Sequence, residues 1–352
     1  MGNVVFVSGC TGDRAGEVAP PRVEDQVELA LENAARALEA VGSGLENVVK
    51  TFFLLTSLDD YGSVRRTETE YYERHAPQLV ATPPAATLMV VPSLARPELL
   101  VQYEVVAALD RDLPGWGVTY HPEYWAGREL AYPHVPKEHP KFARSQSIGN
   151  LLVVSGCQAL DHETLRVEAR NFAEQCRVVL DKVRIAVEET GGSLENLVKT
   201  NVFVKDAGAV AAYREIEQAY LREHAPAVAA DPPASTVFVV AELPRPEFLI
   251  EVEAFAVADA GAPCPLVFTS ACHGSAITEA LDSLGGVLER AGSAVGRVVK
   301  LTLLLRDAAD YPRVQGALDA YFGEHQPATT VMQVSATVPP GARFQLDAVA
   351  VS

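Results

Sequence analysis

Residue types suited to nucleophilic chemistry recur three times along this chain of 352 residues. A short apolar run followed by a Ser-Gly or Ser-Ala pair ends each time in a cysteine, at Cys10, Cys157 and Cys272. A thiol at a strand end can lose its proton and act as a nucleophile when nearby charges or backbone N–H groups lower its pKa. Alternatively, cysteine is a small apolar residue that fills a tight turn and was copied by duplication. The sequence leaves both interpretations open.

Charged side chains recur with the same period. An alternating strand near the end of each copy carries a carboxylate, and an apolar strand in the middle of each copy carries a lysine. The carboxylates are Glu104, Glu253 and Asp347, and the lysines are Lys50, Lys199 and Lys300. A buried lysine can have a lowered pKa and activate a nucleophile. We expect instead that each lysine forms a structural ion pair.

These recurrences belong to a threefold internal repeat. Asn-Val-Val-Lys at 47–50 returns as Asn-Leu-Val-Lys at 196–199 and as Arg-Val-Val-Lys at 297–300. His-Ala-Pro at 75–77 returns at 224–226 and, as His-Gln-Pro, at 325–327. Several ordered matches in each copy make chance similarity an unsatisfactory explanation.

The hydrophobic pattern of one copy predicts its elements. In the first copy we expect a strand, a helix, a strand over 48–55, a second helix over 61–74, and a hairpin of strands 86–91 and 99–107. The predicted fold class is α/β, as an α+β two-layer unit with two helices packed on one face of a mixed sheet. Three such units, each with a sheet face left over, predict a closed intramolecular pseudo-trimer.

The predicted domain boundaries follow the copies. We place repeat 1 at 1–110, an aromatic-rich linker at 111–135, repeat 2 at 136–258 and repeat 3 at 259–352. The linker contains both tryptophans, Trp116 and Trp125. We expect it to pack over a sheet edge or an interface, and a lid over a pocket is the alternative.

Composition excludes several classes of partner. With 29 Lys and Arg against 46 Asp and Glu, the net charge is −17, which disfavours nucleic acid and anionic membrane surfaces. No signal peptide or apolar span is recognisable. Five cysteines form no disulfide framework, and an odd count leaves a free thiol, so we expect a cytoplasmic protein. Without a Cys-x-x-Cys pair or a glycine-rich phosphate loop, we expect no metal and no cofactor.

Each copy resembles the RidA/YjgF family, whose members are often labelled endoribonuclease L-PSP. The likeness rests on the Ser-Gly turn, the Asn-Val-Val-Lys-Thr motif, the Pro-Ala-x-Ser/Thr region and the closing Val-Glu-x-Glu-Ala strand, and it covers nearly the whole chain. Family members are homotrimers with a cleft at each subunit interface. The resemblance therefore implies a fused trimer with a small-molecule substrate in clefts between repeats, and leaves open whether the fused chain associates further.

The resemblance breaks at the residue that carries the family's best-known activity, the hydrolysis of enamines and imines. The arginine that binds the substrate carboxylate there corresponds to Ala86, Ser235 and Thr329. A short neutral side chain cannot replace a bidentate cation. On the second helix, Arg65 and Arg214 could supply displaced positive charge, although a solvated helix face is the simpler interpretation. The glutamate that orients the attacking water in the family is matched here to Glu104, Glu253 and Asp347.

Three functions are consistent with the sequence. The first is a RidA-like enzyme that performs hydrolysis, deamination or a related acid–base step, in which Glu253 and Glu104 orient water and Cys157, Cys10 or Cys272 acts as nucleophile or contact. We expect only one or two clefts to be active, with repeat 2 supplying the fullest set. The second is a non-catalytic metabolite binder or chaperone-like protein. The third is a specialised biosynthetic enzyme on a fused threefold scaffold.

Overall fold

The structure is a computed structural model that describes residues 2–14, 17–121, 142–161, 164, 166–258 and 265–352. Four residues with aromatic rings in the linker region and one cysteine lie outside the described residues. They are Tyr124, Trp125, Tyr132, His134 and Cys264. The alternative of a lid formed by residues 122–135 therefore also lies outside them.

Repeat 1 consists of a four-stranded sheet and two long helices. In chain order its elements are the opening strand Val4–Thr11, the first helix Val23–Ala40, the central strand Val48–Leu55, the second helix Tyr61–His75, the parallel strand Ala85–Val90 and the closing strand Val101–Ala108. Across the sheet the order is opening, closing, central and parallel strand. The central strand pairs antiparallel with the closing strand and parallel with the parallel strand, so the sheet is mixed.

Repeats 2 and 3 repeat this plan, with an opening strand that is interrupted at the Ser-Gly or Ser-Ala turn. In repeat 2 the elements are strands Ser145–Ile148, Leu151–Val154 and Cys157–Gln158, helix Phe172–Glu188, strand Leu197–Val204, helix Val210–His224, strand Ala234–Val239 and strand Ile250–Val257. In repeat 3 they are strands Leu266–Phe268 and Cys272–Gly274, helix Ile277–Arg290, strand Val298–Leu305, helix Tyr311–Phe322, strand Ala328–Gln333 and strand Phe344–Val351. Short helices Gln78–Ala81 and Pro226–Ala230 follow the second helices of repeats 1 and 2.

The first helix of repeat 1 shows how sequence pattern determines packing. Val27, Leu31, Ala34 and Leu38 recur at helical spacing and are fully buried against the sheet. The helix ends at Ala40, and Gly42 two residues later has a φ of 81°, a left-handed conformation that glycine adopts without steric strain. The amphipathic pattern and the glycine stop therefore define this layer of the repeat.

The predicted hairpin is wrong. Strands Ala85–Val90 and Val101–Ala108 do not pair with each other, because the central strand Val48–Leu55 lies between them. Strand Ala85–Val90 instead pairs parallel to the central strand, and the second helix makes the crossover that a parallel pair requires.

Each sheet has one face against helices and the other against the neighbouring repeats. Three separate apolar clusters lie between sheet and helices, one in each repeat. A further cluster joins Phe52, Phe203 and Leu304, which come from the central strands of repeats 1, 2 and 3. The two-layer unit predicted for each copy is confirmed, and the leftover sheet faces pack against one another.

The contacts between repeats run around a closed circuit. Backbone bridges join Val90 to Glu242, between repeats 1 and 2, and Val239 to Ala336, between repeats 2 and 3. The short strand Ser93–Leu94 of repeat 1 then pairs with the end of Ala328–Gln333 in repeat 3. The tandem copies therefore form an intramolecular pseudo-trimer.

The first part of the aromatic segment extends the second sheet. Strand Val118–His121 pairs antiparallel with Ser145–Ile148, at the edge of that sheet. The ring of Trp116 lies against Gly2 and Gly149. In the described residues, this segment therefore packs over a sheet edge, as we expected from its aromatic content.

Candidate active site between repeats

The three lysines and three carboxylates identified from the sequence meet across the interfaces between repeats. Each lysine pairs with the carboxylate of a neighbouring repeat. The Nζ to carboxylate oxygen distances are 2.7 Å for Lys50–Glu253, 2.9 Å for Lys199–Asp347 and 2.6 Å for Lys300–Glu104. A threonine of the lysine's own repeat, Thr87, Thr236 or Thr330, donates to the same carboxylate. The structural ion pairs predicted for the lysines are confirmed.

The pairing leaves Glu253 little capacity to activate water. One of its oxygens accepts from Lys50 and Thr87, and the other accepts from Asn201 at 2.8 Å. Burial raises the pKa of Glu253, but Lys50, Asn201 and Thr87 outweigh it and hold the pKa below its usual value. A carboxylate with both oxygens bonded and a lowered pKa is a poor base, so the geometry favours a structural role.

The six paired groups surround a cavity where the three repeats meet. Its volume is about 50 Å³, and aromatic rings such as Phe6, Phe238 and Phe268 complete its wall. This size suits about one or two water molecules. Positive and negative groups alternate around the cavity in equal number, so it carries no net charge.

Two of the three repeated cysteines, Cys10 and Cys272, are kept as neutral thiols by burial. Cys10 Sγ lies 3.2 Å from the carbonyl oxygen of Ser8, to which it donates, and Cys157 Sγ makes the same contact with Ser155 at 3.5 Å. Burial, with help from Glu104, raises the pKa of Cys10 to about 12. Burial also raises the pKa of Cys272. At Cys10 and Cys272 the surroundings therefore favour the packing interpretation over a thiolate nucleophile.

A groove that we call cleft 1/2 opens between repeats 1 and 2. Thr51, Arg65, Glu68 and Ala86 of repeat 1 line it together with Phe142, which precedes the second sheet. The backbone N–H of Gly156 in repeat 2 donates to the carbonyl oxygen of Ala86 at 3.0 Å and joins the two sides. The volume of the groove is about 40 Å³, close to that of the central cavity, so only a small polar group fits inside it.

Arg65 brings a cation to cleft 1/2 although the family arginine is absent from position 86. Its Nη1 donates to Glu68 Oε2 at 2.8 Å, and its guanidinium lies over the rings of Phe53 and Tyr61. Only 11% of the Arg65 side chain is exposed. The interpretation of Arg65 as a solvated helix-face residue is wrong, because aromatic rings and a buried glutamate hold the guanidinium inside the groove.

The equivalent groove between repeats 2 and 3, cleft 2/3, has the same helix arginine in a different setting. Arg214 Nη1 pairs with Glu217 at 2.7 Å, and Nη2 donates to Ser235 Oγ at 2.9 Å. Thr200 also donates to Ser235 Oγ at 2.9 Å. The serine that replaces the family arginine therefore bonds to the displaced arginine.

Cleft 3/1, between repeats 3 and 1, has neither cation. Gln315 occupies the helix position and bonds to Tyr311 and Asp319. Thr329 donates to the carbonyl of Pro327 at 3.0 Å. The three interfaces therefore share one scaffold and differ in their polar groups.

The sequence reasoning overlooked Glu251, two residues before Glu253 on the closing strand of repeat 2. The side chain is fully buried, and neither of its oxygens makes a hydrogen bond of standard geometry among the described residues. Burial raises its pKa to about 8, although a loose side-chain contact from Gln158 and the charges of Lys50 and Arg65 act in the opposite direction. A buried acid with a raised pKa close to an interface between repeats is typical of a functional group.

Glu251 lies directly behind the joint between repeats 1 and 2. A Cβ on Gly156 would stand 1.8 Å from Glu251 Oε1, so only glycine fits beside this carboxyl group. A signal for it was present in the sequence, because Gln102 and Gln345 stand at the matching positions of the other repeats. A single acid among three equivalent positions marks repeat 2 as different.

In the part of the chain that the structure describes, His, Cys, Asp and Glu side chains form no group of three that could hold a metal ion. Among the helices described, none has both the length and the apolar composition to cross a bilayer.

Comparison with known proteins relates the repeats to one family. The family model described as Endoribonuclease L-PSP matches residues 1–109, 134–258 and 268–352. The 2-iminobutanoate/2-iminopropanoate deaminase of Escherichia coli (strain K12) is 33% identical over 130 residues, which cover 37% of this chain and 97% of that protein. A RutC family protein of Pyrococcus abyssi is 31% identical over 121 residues, 34% of this chain and 89% of that protein.

Two solved structures are similar to different lengths of this chain. The crystal structure of the YjgF gene product from Escherichia coli covers 40% of this chain and 100% of that one, with 30% identity and a TM-score of 0.33. The crystal structure of a chorismatase covers 72% of this chain and 75% of that one, with 16% identity and a TM-score of 0.50. The second likeness is one of fold alone.

Proposed function

Because the chain belongs to the endoribonuclease L-PSP family, we propose that it binds a small metabolite in cleft 1/2 and hydrolyses a carbon–nitrogen bond there. The observation that carries the proposal is the fully buried carboxyl group of Glu251 behind that cleft, which makes no hydrogen bond of standard geometry among the described residues and whose pKa burial raises to about 8. Cleft 1/2 is the interface at which the acid and a helix arginine, Arg65, lie on opposite sides of the same joint. Cleft 2/3 has Gln345 in place of the acid, and cleft 3/1 has Gln102.

The substrate differs from that named for the deaminase relative. A 2-imino acid carries a carboxylate, which calls for a bidentate cation. Positions 86, 235 and 329 provide Ala, Ser and Thr. The guanidinium of Arg65 is already neutralised by Glu68 at 2.8 Å. Cleft 1/2 therefore suits an uncharged substrate better than an anionic one.

The proposed chemistry moves protons through Glu251 alone. With a pKa near 8, Glu251 is mostly protonated at neutral pH and can give its proton to the nitrogen of an imine. Water then adds to the carbon, and the carboxylate takes the proton that this water releases. The same proton passes to the nitrogen, the carbon–nitrogen bond breaks, and the hydroxyl proton returns to the Glu251 carboxylate, so the products are a carbonyl compound and ammonia and Glu251 is protonated again.

The other residues that the sequence predicts as catalytic have no proton-transfer role in this proposal. Glu104, Glu253 and Asp347 maintain the interfaces through their lysine pairs. Cys157 lies one residue from Gly156 and stays a candidate contact for the ligand. The cytoplasmic location remains a prediction.

Replacing Glu251 by glutamine tests the proposal. Glutamine stands at the same position in repeats 1 and 3, so the variant is compatible with the fold. Ammonia release is measured with small imines that lack a carboxylate, generated in situ from primary amines by a flavin amine oxidase, and with small neutral amides. We expect at least a hundredfold loss of turnover, since one positioned acid–base group contributes roughly that factor. An unchanged rate with an unchanged unfolding temperature overturns the role of Glu251.

A second function is favoured by one observation. Glu251 has no exposed surface, so a ligand in cleft 1/2 need not reach it. In that case the chain binds its metabolite without converting it. Ligand-induced thermal stabilisation of the wild-type chain without any ammonia release from the same compounds supports this second function.

A further inference from the structure

The hydroxyl group of Thr51 is an unexplained polar group in cleft 1/2. Thr51 is fully buried and lines the groove, and its Oγ1 has no hydrogen-bond partner among the residues that the structure describes. Leaving a buried donor and acceptor unpaired is unfavourable, so such groups call for a specific explanation. The hydroxyl lies where a ligand can bond to it.

Repeat 2 shows what normally satisfies this hydroxyl. Thr200 occupies the same place on its central strand and donates to Ser235 Oγ at 2.9 Å. The register is the same in both repeats, since Thr200 pairs with Ser235 and Thr51 pairs with Ala86. Ala86 has no side-chain oxygen, so the hydroxyl partner that Thr200 has in Ser235 is missing for Thr51.

The arginine of the second helix completes the comparison. Arg214 Nη2 donates to the same Ser235 oxygen at 2.9 Å. Arg65 has the same position in the helix of repeat 1 and the same glutamate three residues on, and it lines the groove beside Ala86 and Thr51. A guanidinium has five N–H donors, more than the contacts of Arg65 with Glu68 and Tyr61 use. In cleft 2/3 one side-chain oxygen atom thus joins a threonine and an arginine, and in cleft 1/2 no described residue supplies that oxygen.

We infer that the ligand of cleft 1/2 supplies this oxygen, as the carbonyl oxygen of a primary carboxamide that accepts from Thr51 and Arg65. The inference rests on the proposed function for the choice of cleft and adds the class of ligand. The NH₂ group of the carboxamide donates to Glu68, which lies beside Arg65 and is 8% exposed. A carboxylate in the same place sets a second negative oxygen against Glu68, whereas an amine offers no acceptor to Thr51.

The variant Ala86→Ser tests the inference, because it gives repeat 1 the serine of repeat 2 and fills the gap with an internal hydroxyl. The matched control is Ser235→Ala, which removes that hydroxyl from cleft 2/3 and leaves cleft 1/2 unchanged. Binding of butyramide, butyrate and butylamine is measured by ligand-observed NMR and calorimetry. We expect butyramide to bind the wild type at least tenfold more tightly than either charged probe. The Ala86→Ser variant weakens butyramide binding at least tenfold, and the Ser235→Ala variant does not weaken it.

Three results overturn the inference. They are an absence of butyramide binding, equal butyramide affinity in the wild type and Ala86→Ser, and tighter binding of butyrate than of butyramide. The first result means that an ordered water is the partner of Thr51. Unfolding temperatures show whether each variant is folded. Since no turnover enters these measurements, an unchanged rate in Glu251→Gln removes the proposed chemistry and leaves the binding inference standing.

Discussion

Clefts 1/2 and 2/3 are built on the same scaffold and differ in how far their polar groups are satisfied. In cleft 2/3 the hydroxyl of Ser235 joins Thr200 and Arg214, so the wall is complete without a ligand. In cleft 1/2 the hydroxyl of Thr51, and behind the cleft the carboxyl group of Glu251, are buried without a hydrogen bond of standard geometry to any described residue. Native proteins pair nearly all buried polar groups, and the exceptions concentrate at functional sites. Fusion of the repeats therefore allows the polar groups of one interface to bond to one another while those of another interface stay available for a ligand.

The largest expected effect is a loss of stability when a buried ion pair is broken, and it tests whether the pairs at clefts 1/2 and 2/3 contribute equally to stability. Lys50→Met leaves Glu253 buried without its cation, and Lys199→Met does the same to Asp347. Removing one partner of a buried pair costs about 3–5 kcal/mol. We expect both variants to lose free energy of unfolding in that range, as measured by urea denaturation. A much smaller loss in one of them contradicts the equivalence of the interfaces.

The double variant Lys50→Met with Glu253→Leu serves as the control for that experiment. Replacing both charges by apolar groups avoids an unpaired buried ion, so it recovers most of the lost stability. If the double variant is as unstable as the single one, packing rather than charge explains the loss.

A pH-dependent effect separates Glu251 from the glutamines of the other repeats. Burial raises the pKa of Glu251 from 4.5 to about 8, so the folded chain holds a proton that the unfolded chain releases. Between about pH 4.5 and 8 the stability that this group contributes falls as pH rises, by up to a few kcal/mol, at roughly 1.4 kcal/mol for each pKa unit. Thermal unfolding at pH 5, 6.5 and 8 measures the trend.

The variant Glu251→Gln provides the reference for that trend, because glutamine does not titrate. We expect the advantage of the variant over the wild type to grow from pH 5 to pH 8 and to level off above that. An advantage that is constant with pH shows that Glu251 does not have a raised pKa.

A smaller effect distinguishes the two arginines. Arg65→Gln and Arg214→Gln both introduce the residue that repeat 3 has at Gln315. Because Arg65 lines the unsatisfied cleft and Arg214 is bonded to Ser235, we expect only Arg65→Gln to weaken ligand binding, by about tenfold, as one charge-assisted hydrogen bond is lost. Calorimetry with butyramide measures both. Equal weakening by the two variants contradicts the assignment of the ligand to cleft 1/2.

The smallest effect concerns the thiols. With its pKa raised to about 12, Cys10 is almost entirely protonated at neutral pH. We expect iodoacetamide at pH 7.5 to modify Cys10 at least tenfold more slowly in the folded chain than in urea, as mass spectrometry of the peptides measures. Rapid modification in the folded chain restores the nucleophile interpretation.

Much of the fold was predictable because the hydrophobic patterns of its helices and strands are local and recur in all three repeats. The helix face of Val27, Leu31 and Leu38 and the central strand 48–55 follow from hydrophobic period alone. The hairpin was wrong since strand order depends on which strands meet in space, and the pattern of strand 85–90 is the same beside either neighbour.

The sequence by itself determined the repeats, the family and the types of residue available for chemistry. Only the tertiary structure decided which of two carboxylates on one strand is satisfied. Glu253 meets Lys50 and Thr87 from the neighbouring repeat, across 166 positions of chain in the case of Thr87, whereas Glu251 meets no such partner. Both residues belong to the same alternating strand, so their local patterns are alike. Burial and ion pairing arise between segments distant in sequence, and these set the pKa and the availability of each carboxyl group.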